Sequence, residues 1–252
     1  MQYAIGFVIA VFIALTGVGA GTITTPLLIL FLHVPTTVAV STGLMFSAAI
    51  KLALVPTQIA RRQVSWPVLG YMLLGGLPGV LAGALLLRHL DAAGPKQFMN
   101  ALLGGVLVFT ALWQIAFSFR AAGGGGRDRS RWLPVLMFPV GAEVGFSSAG
   151  AGALGTAALL SLTPLGPAQV VGTDILFGFL VSLAGSGAHW QAHAASGGLL
   201  RHLILGGLLG VGVGVLLAGR IPKRPLRFAL WVWLLIIGMD FVYSNVGRHA
   251  AR

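Results

Sequence analysis

The sequence contains no cysteine and very little charge. Its 252 residues include five acidic residues against sixteen Lys and Arg, and charged residues make up 8% of the chain. The missing cysteines exclude disulfides, thiolate metal sites and thiol catalysis. Soluble domains carry about 25% charged residues, so an ordinary soluble fold is unexpected. A disordered chain and a nucleic-acid-binding arm are excluded by the same scarcity, because both need polar, charged sequence.

Apolar residues and glycine fill the chain instead. Hydrophobic residues make up 57%, the mean hydropathy is +0.93, and 37 residues are glycine, which suits closely packed membrane helices. The basic residues lie in short polar intervals, as in loops that orient a protein in the bilayer. The sequence therefore predicts a multi-pass protein of the bacterial inner membrane, with the lipid bilayer and not nucleic acid as its surroundings.

Eight apolar stretches organise the chain. A helix needs about 20 apolar residues to cross the bilayer, and six stretches have that size: 36–59, 66–87, 98–119, 167–190, 198–218 and 228–246. Two others, 2–32 and 133–162, are longer and are interrupted by glycines at 17–21 and 150–152. Each of their halves covers about 20 Å, which is short of the hydrocarbon thickness. Each stretch is therefore either a re-entrant hairpin or one broken, tilted helix.

The chain is an internal duplication. A Gly- and Arg-rich linker, 120–131, separates a first membrane repeat, 1–119, from a second, 132–252. An ungapped offset of 131 residues aligns Gly19-Ala20-Gly21 with Gly150-Ala151-Gly152, Thr25 with Thr156, Thr42 with Thr173, and Phe46 with Phe177. We expect an all-α polytopic membrane protein with two homologous halves, each a broken or re-entrant first helix plus three transmembrane helices. Re-entrant segments give inverted repeats, which the loop Lys and Arg favour modestly over parallel ones.

Three motifs follow one another in the first half. They are Gly17-Val18-Gly19-Ala20-Gly21 with Pro26 after it, Pro35 to Thr42, and the basic loop from Arg61 to Trp66. A degenerate second copy stands at 150–152 and 167–173. In this combination the chain resembles the sulfite exporter TauE/SafE family over nearly its whole length. The resemblance implies a secondary transporter, typically an exporter, of sulfite, organosulfonates or related anions, and Ala20, Ala151 and Lys51 depart from the family pattern.

The two glycine breaks predict the substrate site. A helix that begins after a break points free N–H groups and its positive dipole end into the protein, which favours an anion. Interrupted segments at corresponding places of two halves mark the binding sites of transporters. We therefore expect a small-anion pocket between two sets of residues: Gly19, Ala20, Gly21 and Thr22, and Gly150, Ala151, Gly152 and Ala153. Close helix packing is the structural alternative for these glycines.

Lys51 is the most informative single residue. It lies about nine residues from the Arg61 end of its helix, which places its Cα about 14 Å deep. A lysine at that depth costs at least about 2.5 kcal/mol and normally faces a cavity or a partner. We expect it to bind the anion; a lysine neutralised by Glu143, or one in a wet vestibule, is the alternative.

Further polar residues fall inside the predicted spans. Glu143, Asp174 and His189 could carry a coupled proton, although Asp174 could instead cap its own helix and His189 could be a satisfied histidine. Thr42 and Thr173 are hydroxyl donors for the anion, with bonding to their own helices as the alternative. No metal or cofactor is expected, because the acids are few and there is no cysteine.

Other classes of function fit less well. A passive anion channel would use the same pocket, and a cation or metal transporter would need clustered ligands. An intramembrane protease could use Ser147 or Ser148 with His189 or His193, but the glycine context of a rhomboid protease is missing. We therefore predict an alternating-access anion transporter that is not an enzyme, that has no cofactor and that could form a homodimer.

Overall fold

The computed structural model describes residues 2–16, 19–93, 96–118, 128–150, 152–189, 197–217 and 223–246. Within these ranges the regular elements are helices, and no strand occurs. The ten α-helices are α1 (Gln2–Thr16), α2 (Ala20–Leu32), α3 (Thr36–Ala60), α4 (Trp66–Ala93), α5 (Lys96–Ser118), α6 (Leu133–Ser147), α7 (Ala153–Leu162), α8 (Pro167–Ala188), α9 (Gly197–Leu217) and α10 (Lys223–Val246).

The all-helical prediction is confirmed. Helices α3, α4, α5, α8 and α9 are long and apolar enough to cross a membrane, and α10 contributes a shorter apolar stretch, Phe228–Tyr243. A 3₁₀ turn, Ser130–Trp132, precedes α6. It is capped by Asp128, whose Oδ1 accepts the Ser130 N–H at 3.0 Å and whose pKa is lowered by that bond.

Both long stretches are interrupted as expected, and each forms a pair of short helices. The first break ends at Gly19, so Ala20 and Gly21 lie in the first turn of α2 and not in the break. The second begins earlier than the glycines, because Ser148 adopts a left-handed conformation (φ 59°) and its N–H bonds to Val144 O at 2.8 Å. This C-cap ends α6 at Ser147.

Rows of glycine bring helices from the two halves into close contact. In α4, Gly75, Gly79 and Gly83 face backbone carbonyl groups of α6, so that an added Cβ at any of them would collide with main chain. The aligned glycines of α9 pack against α1 in the same way: Gly206, Gly210 and Gly214. Close packing therefore explains these six glycines. In each pair, later residues of one helix contact later residues of the other, so α4 is parallel to α6, and α9 is parallel to α1.

Helices α3 and α8 occupy the centre and run antiparallel. Ser182 Oγ bonds to Ser47 Oγ at 3.2 Å, and Ser186 Oγ lies 3.2 Å from the sulfur of Met45. Helix α4 packs on α8 in the parallel direction, because Gly76 contacts Phe177 while Val80, further along, contacts Gly185.

Two hydrophobic clusters flank this central pair. One surrounds α4, α6 and α8 and includes Met72, Met137 and Phe177. The other joins α1, α2 and α9 and includes Ile9 and Leu203. Each cluster mixes helices from both halves of the sequence, and α3 contributes to both. Helices α5 and α10 also contribute to both clusters, so the two packed units meet at the α3–α8 contact and at the α5–α10 contact.

Candidate functional site

The second helix break contacts the start of α2 directly. Ser148, from the second break, places its Oγ 2.5 Å from Thr25 Oγ1 and 3.2 Å from Gly21 O, both on α2. Gly43 of α3 completes this junction, since an added Cβ would lie 2.7 Å from Thr25 Oγ1 and 2.8 Å from Ser148 Oγ. Gly21 has no more room, because its added Cβ would collide with Ser148. The junction is tightly packed in this conformation.

Gly19 and Thr22 belong to the same junction. Gly19 is the N-cap of α2, and its carbonyl accepts the Thr22 N–H at 3.1 Å. Thr22 is buried. On the opposite side, Gly150 (φ 85°) and Gly152 (φ 116°) adopt conformations that favour glycine. Ala151 lies outside the described residues.

The positive end of α7 holds a carboxylate from the protein itself. Thr156 Oγ1 donates to Asp174 Oδ2 at 2.9 Å, and Asp174 Oδ1 occupies the space beside Gly155 where a side chain would lie. Both residues belong to the first turns of α7. The alternative in which Asp174 caps its own helix is wrong, because α8 begins at Pro167, seven residues earlier, and Asp174 turns toward α7. A carboxylate at this position is stabilised by the dipole of α7.

Lys51 points into the seam between α3 and α8. It is 7% exposed, and its Nζ lies where a side chain of Gly178 would be. Asp174, one turn before Gly178 on α8, is the carboxylate with which it interacts electrostatically. The alternative in which Lys51 pairs with Glu143 is therefore wrong, because α3 packs against α8 at this point and brings Lys51 next to Asp174 instead. Among the described residues, Lys51 Nζ has no hydrogen-bond acceptor.

The aligned position in the other half is neutral. Ser182 corresponds to Lys51, and Ser47 corresponds to Gly178. Ser182 and Ser47 form the hydrogen bond that ties α8 to α3. In the equivalent pair, Lys51 takes the place of Ser182 and Gly178 takes the place of Ser47. The missing side chain at Gly178 leaves space for the ammonium group.

Thr42 and Thr173 are aligned but differ in their contacts. Thr173 Oγ1 accepts the Ser65 N–H at 2.9 Å and holds the loop between α3 and α4. Thr42 Oγ1 is buried and has no hydrogen-bond partner in the described part of the chain. Of the two predicted donors, Thr42 is the one whose hydroxyl these contacts leave available.

Comparison with known proteins decides the family. The model for the family described as "Sulfite exporter TauE/SafE" matches residues 3–241. The chain belongs to the TauE/SafE family. It is similar to "Probable membrane transporter protein YjnA" of Bacillus subtilis (strain 168), with 29% identity over 255 residues that cover 94% of this chain and 97% of the relative. No solved structure matches. The protein is a multi-pass membrane protein of a transporter family.

Glu143 lies apart from the Lys51 site. Thr110 on α5 is hydrogen-bonded to its Oε1, and its Oε2 lies beside Gly150, 2.8 Å from the position of an added Cβ. Its side chain faces a cavity of about 570 Å³ between α4, α5, α6 and α7. Glu143 is thus a predicted proton carrier that lines a cavity.

His189 and the two serines make backbone contacts and not a nucleophile–base pair. His189 Nε2 lies 3.2 Å from Gly145 O. Ser147 Oγ donates to Glu143 O at 2.9 Å, and Ser148 bonds to α2. These contacts do not support the protease alternative, in agreement with a transporter family. His193 lies outside the described residues.

Sequence reasoning did not assign four residues of this site: Gly43, Ser148, Thr156 and Gly178. Two of them carried a usable signal. Thr156 aligns with Thr25, and both hold a partner beside a break: Asp174 in one half and Ser148 in the other. Gly43 aligns with Asp174. The alignment therefore pointed to these two positions as structurally equivalent, one neutral and one charged.

Proposed function

We propose that this protein is a secondary transporter, and specifically an exporter, of small sulfur-containing anions such as sulfite or organosulfonates. The observation that carries the proposal is the buried ammonium of Lys51, which has an electrostatic carboxylate neighbour but no hydrogen-bond acceptor in the described structure. A buried cation in a membrane needs a partner. A substrate oxyanion would supply the missing acceptors.

The site lies where a moving interface is expected. Lys51 stands on the α3–α8 seam beside Gly178, with Asp174 one turn earlier on α8, whereas Thr42 lies about 14 Å further back along α3. The Ser148 junction contacts Gly43 of α3 and is closed in this conformation, and we expect an anion to enter when the two units separate. Rocking of one unit against the other would open the seam to alternate sides, which is alternating access.

Helix directions support inverted repeats. Equivalent helices α3 and α8 are antiparallel, as expected for halves related by an axis in the membrane plane. Helices α6 and α8 both run parallel to α4. The chain must therefore reverse in α7, so α6 and α7 form a re-entrant hairpin. Because the two halves are homologous, we infer that α1 and α2 also form a re-entrant hairpin. Each half then crosses the membrane three times.

Two measurements on purified protein test the proposed function. A thermal-shift screen against sulfite, sulfate, thiosulfate, sulfoacetate and simple carboxylates identifies the anion class, and uptake of the best ligand into proteoliposomes follows. We expect Lys51→Met to weaken anion binding about tenfold or more, because a charge-assisted contact contributes about 1.5–3 kcal/mol.

The matched control is Ser182→Ala at the equivalent position of the other half, which should transport normally. Counterflow of labelled anion distinguishes a carrier from a channel, because only a carrier exchanges substrate against its gradient. Undiminished anion flux in Lys51→Met would refute the role of the lysine.

A further inference from the structure

The largest cavity described is apolar and contains one carboxyl group. Helices α4, α5, α6 and α7 enclose about 570 Å³, within the size range of small-molecule pockets. Phe109, Trp113 and Leu136 line it and are about half exposed, so its mouth faces the lipid. Ser161, near the end of α7, lines it too. Glu143 lies about 15 Å along α6 from Leu133, deep within an apolar wall.

The hydrogen bonds of Thr110 indicate the state of Glu143. Thr110 Oγ1 lies 2.8 Å from Val106 O and is also bonded to Glu143 Oε1. A hydroxyl has one hydrogen, whereas a backbone carbonyl and an ionised carboxylate only accept. If Glu143 is ionised, the single Thr110 hydrogen is shared between Val106 O and Glu143 Oε1. If Glu143 is protonated, its O–H can donate to Thr110 while the Thr110 hydroxyl donates to Val106 O, so the protonated carboxyl satisfies both contacts in full.

The same carboxyl group touches the helix break. Glu143 Oε2 fills the space beside Gly150, two residues after Ser148. Ser148 in turn bonds to Thr25 and Gly21 of the other half. Ionisation of Glu143 would make the Thr110 hydroxyl turn from Val106 to the carboxylate, and would place a charge against this break.

Among the described residues that line the cavity, none offers Glu143 a compensating charge. Glu143 is the one ionisable residue that lines the described cavity. Of the groups on neighbouring helices, His189 contacts Gly145 O, Asp174 contacts Thr156, Lys51 lies against Gly178, and Arg88 is exposed near the end of α4. The equivalent cavity of about 370 Å³ between α1, α2 and α10 has Phe12 in the place of Glu143 and is wholly apolar. The carboxyl group is therefore a specific addition to one half.

We infer that Glu143 is a proton-binding site, protonated in this closed conformation, through which proton binding and release act on the break at Gly150 and so on the anion gate. The inference rests on the proposed function for its role in transport, and it names the proton as the coupled ion. The protonation itself can be measured without transport.

The test is labelling with dicyclohexylcarbodiimide, an apolar reagent that the lipid-facing cavity can admit. The O–H of a neutral carboxyl adds across one C=N bond to give an O-acylisourea, which rearranges to a stable N-acylurea with no leaving group. Wild-type protein in proteoliposomes should gain one carbodiimide on the peptide that contains Glu143. Labelling should fall about tenfold per pH unit once the carboxyl ionises.

Two internal controls define the result. Glu143→Gln should lose the adduct, and Asp174, which is paired with Lys51 and Thr156, should stay unlabelled. Glu143→Gln should also transport the anion with no dependence on a proton gradient, while Ser161→Ala, which removes a hydroxyl elsewhere in the lining of the same cavity, should keep that dependence.

The outcomes separate this inference from the proposed function. No adduct on Glu143 alongside Lys51-dependent anion transport would overturn the proton site alone. Gradient-driven transport retained in Glu143→Gln would overturn its coupling role. An adduct on Glu143 in a protein that moves no anion would support the proton site and refute the transport function.

Discussion

The interaction between Lys51 and Asp174 can be measured as a coupling energy. Both side chains are almost fully buried, at 7% and 5% exposure. Lys51 Nζ lies against Gly178, whose Cα is about 6 Å from that of Asp174 along α8. Taking this spacing as the order of the charge separation, an effective dielectric constant of about 20 gives an attraction of about 3 kcal/mol.

A double-mutant cycle isolates this energy. Asp174→Asn leaves a buried ammonium without its carboxylate, and Lys51→Met leaves the carboxylate without its ammonium, so each should destabilise the protein strongly. The double variant should lose much less than the sum, with a coupling of about 1–3 kcal/mol. For a chain of this size, 1 kcal/mol corresponds to about 2–4 °C in Tm. Thermal unfolding in detergent, followed by tryptophan fluorescence, therefore measures the coupling.

The neutral serine pair provides the matched cycle. Ser47→Ala and Ser182→Ala remove the hydrogen bond at the equivalent position, which is worth about 1 kcal/mol. Its coupling should be smaller than that of the charged pair. Single effects of Lys51→Met and Asp174→Asn that add to within about 0.5 kcal/mol would show that the two charges do not interact, and would refute the electrostatic account of the site.

Two further variants test the packing that positions the site. Gly79→Val should destabilise the protein by about 1–3 kcal/mol or more, because its Cβ would collide with the α6 backbone. The control Gly70→Val lies on the same helix, meets nothing within 4 Å and should be neutral in thermal unfolding. Equal losses of stability in both variants would contradict the close contact of α4 and α6. Ser148→Ala should cost about 0.5–1.5 kcal/mol, because it removes the hydroxyl that bonds to Thr25 Oγ1 and Gly21 O. The exposed Ser161→Ala should change stability by less than about 0.5 kcal/mol, and a neutral Ser148→Ala would show that its bonds do not hold the junction closed.

The sequence was sufficient to predict the helices and their interruptions. Apolar length and clustered glycine are local properties, and each predicted span is an observed helix. Counting residues back from Arg61 also predicted that Lys51 lies well inside its helix, and the structure buries it there. The ungapped offset gave the correspondence of helices, because it pairs α1–α5 with α6–α10 in order.

The partners of the charged residues could not be predicted in this way. Whether Lys51 faces Glu143 or Asp174 depends on how α3 crosses α8, which is set by contacts between residues more than 100 positions apart, such as Ser47 and Ser182. The end of α6 at Ser147 was missed for a different reason. A left-handed C-cap is usually glycine, and nothing in the sequence marks Ser148 as the residue that adopts it.

The charges break the symmetry of the duplicated fold. Lys51 aligns with Ser182, Asp174 with Gly43, and Glu143 with Phe12, so every central charge has a neutral counterpart. If inverted repeats exchange conformations during transport, identical halves would give two end states of equal free energy. Charges with a neutral residue at the aligned position of the other half make those states unequal, by an amount that depends on which groups hold a proton or an anion. A ligand shifts such an equilibrium only through its different affinity for the two states. In the proposed mechanism, this asymmetry would let a proton at Glu143 and an anion at Lys51 favour different states of one rocking unit.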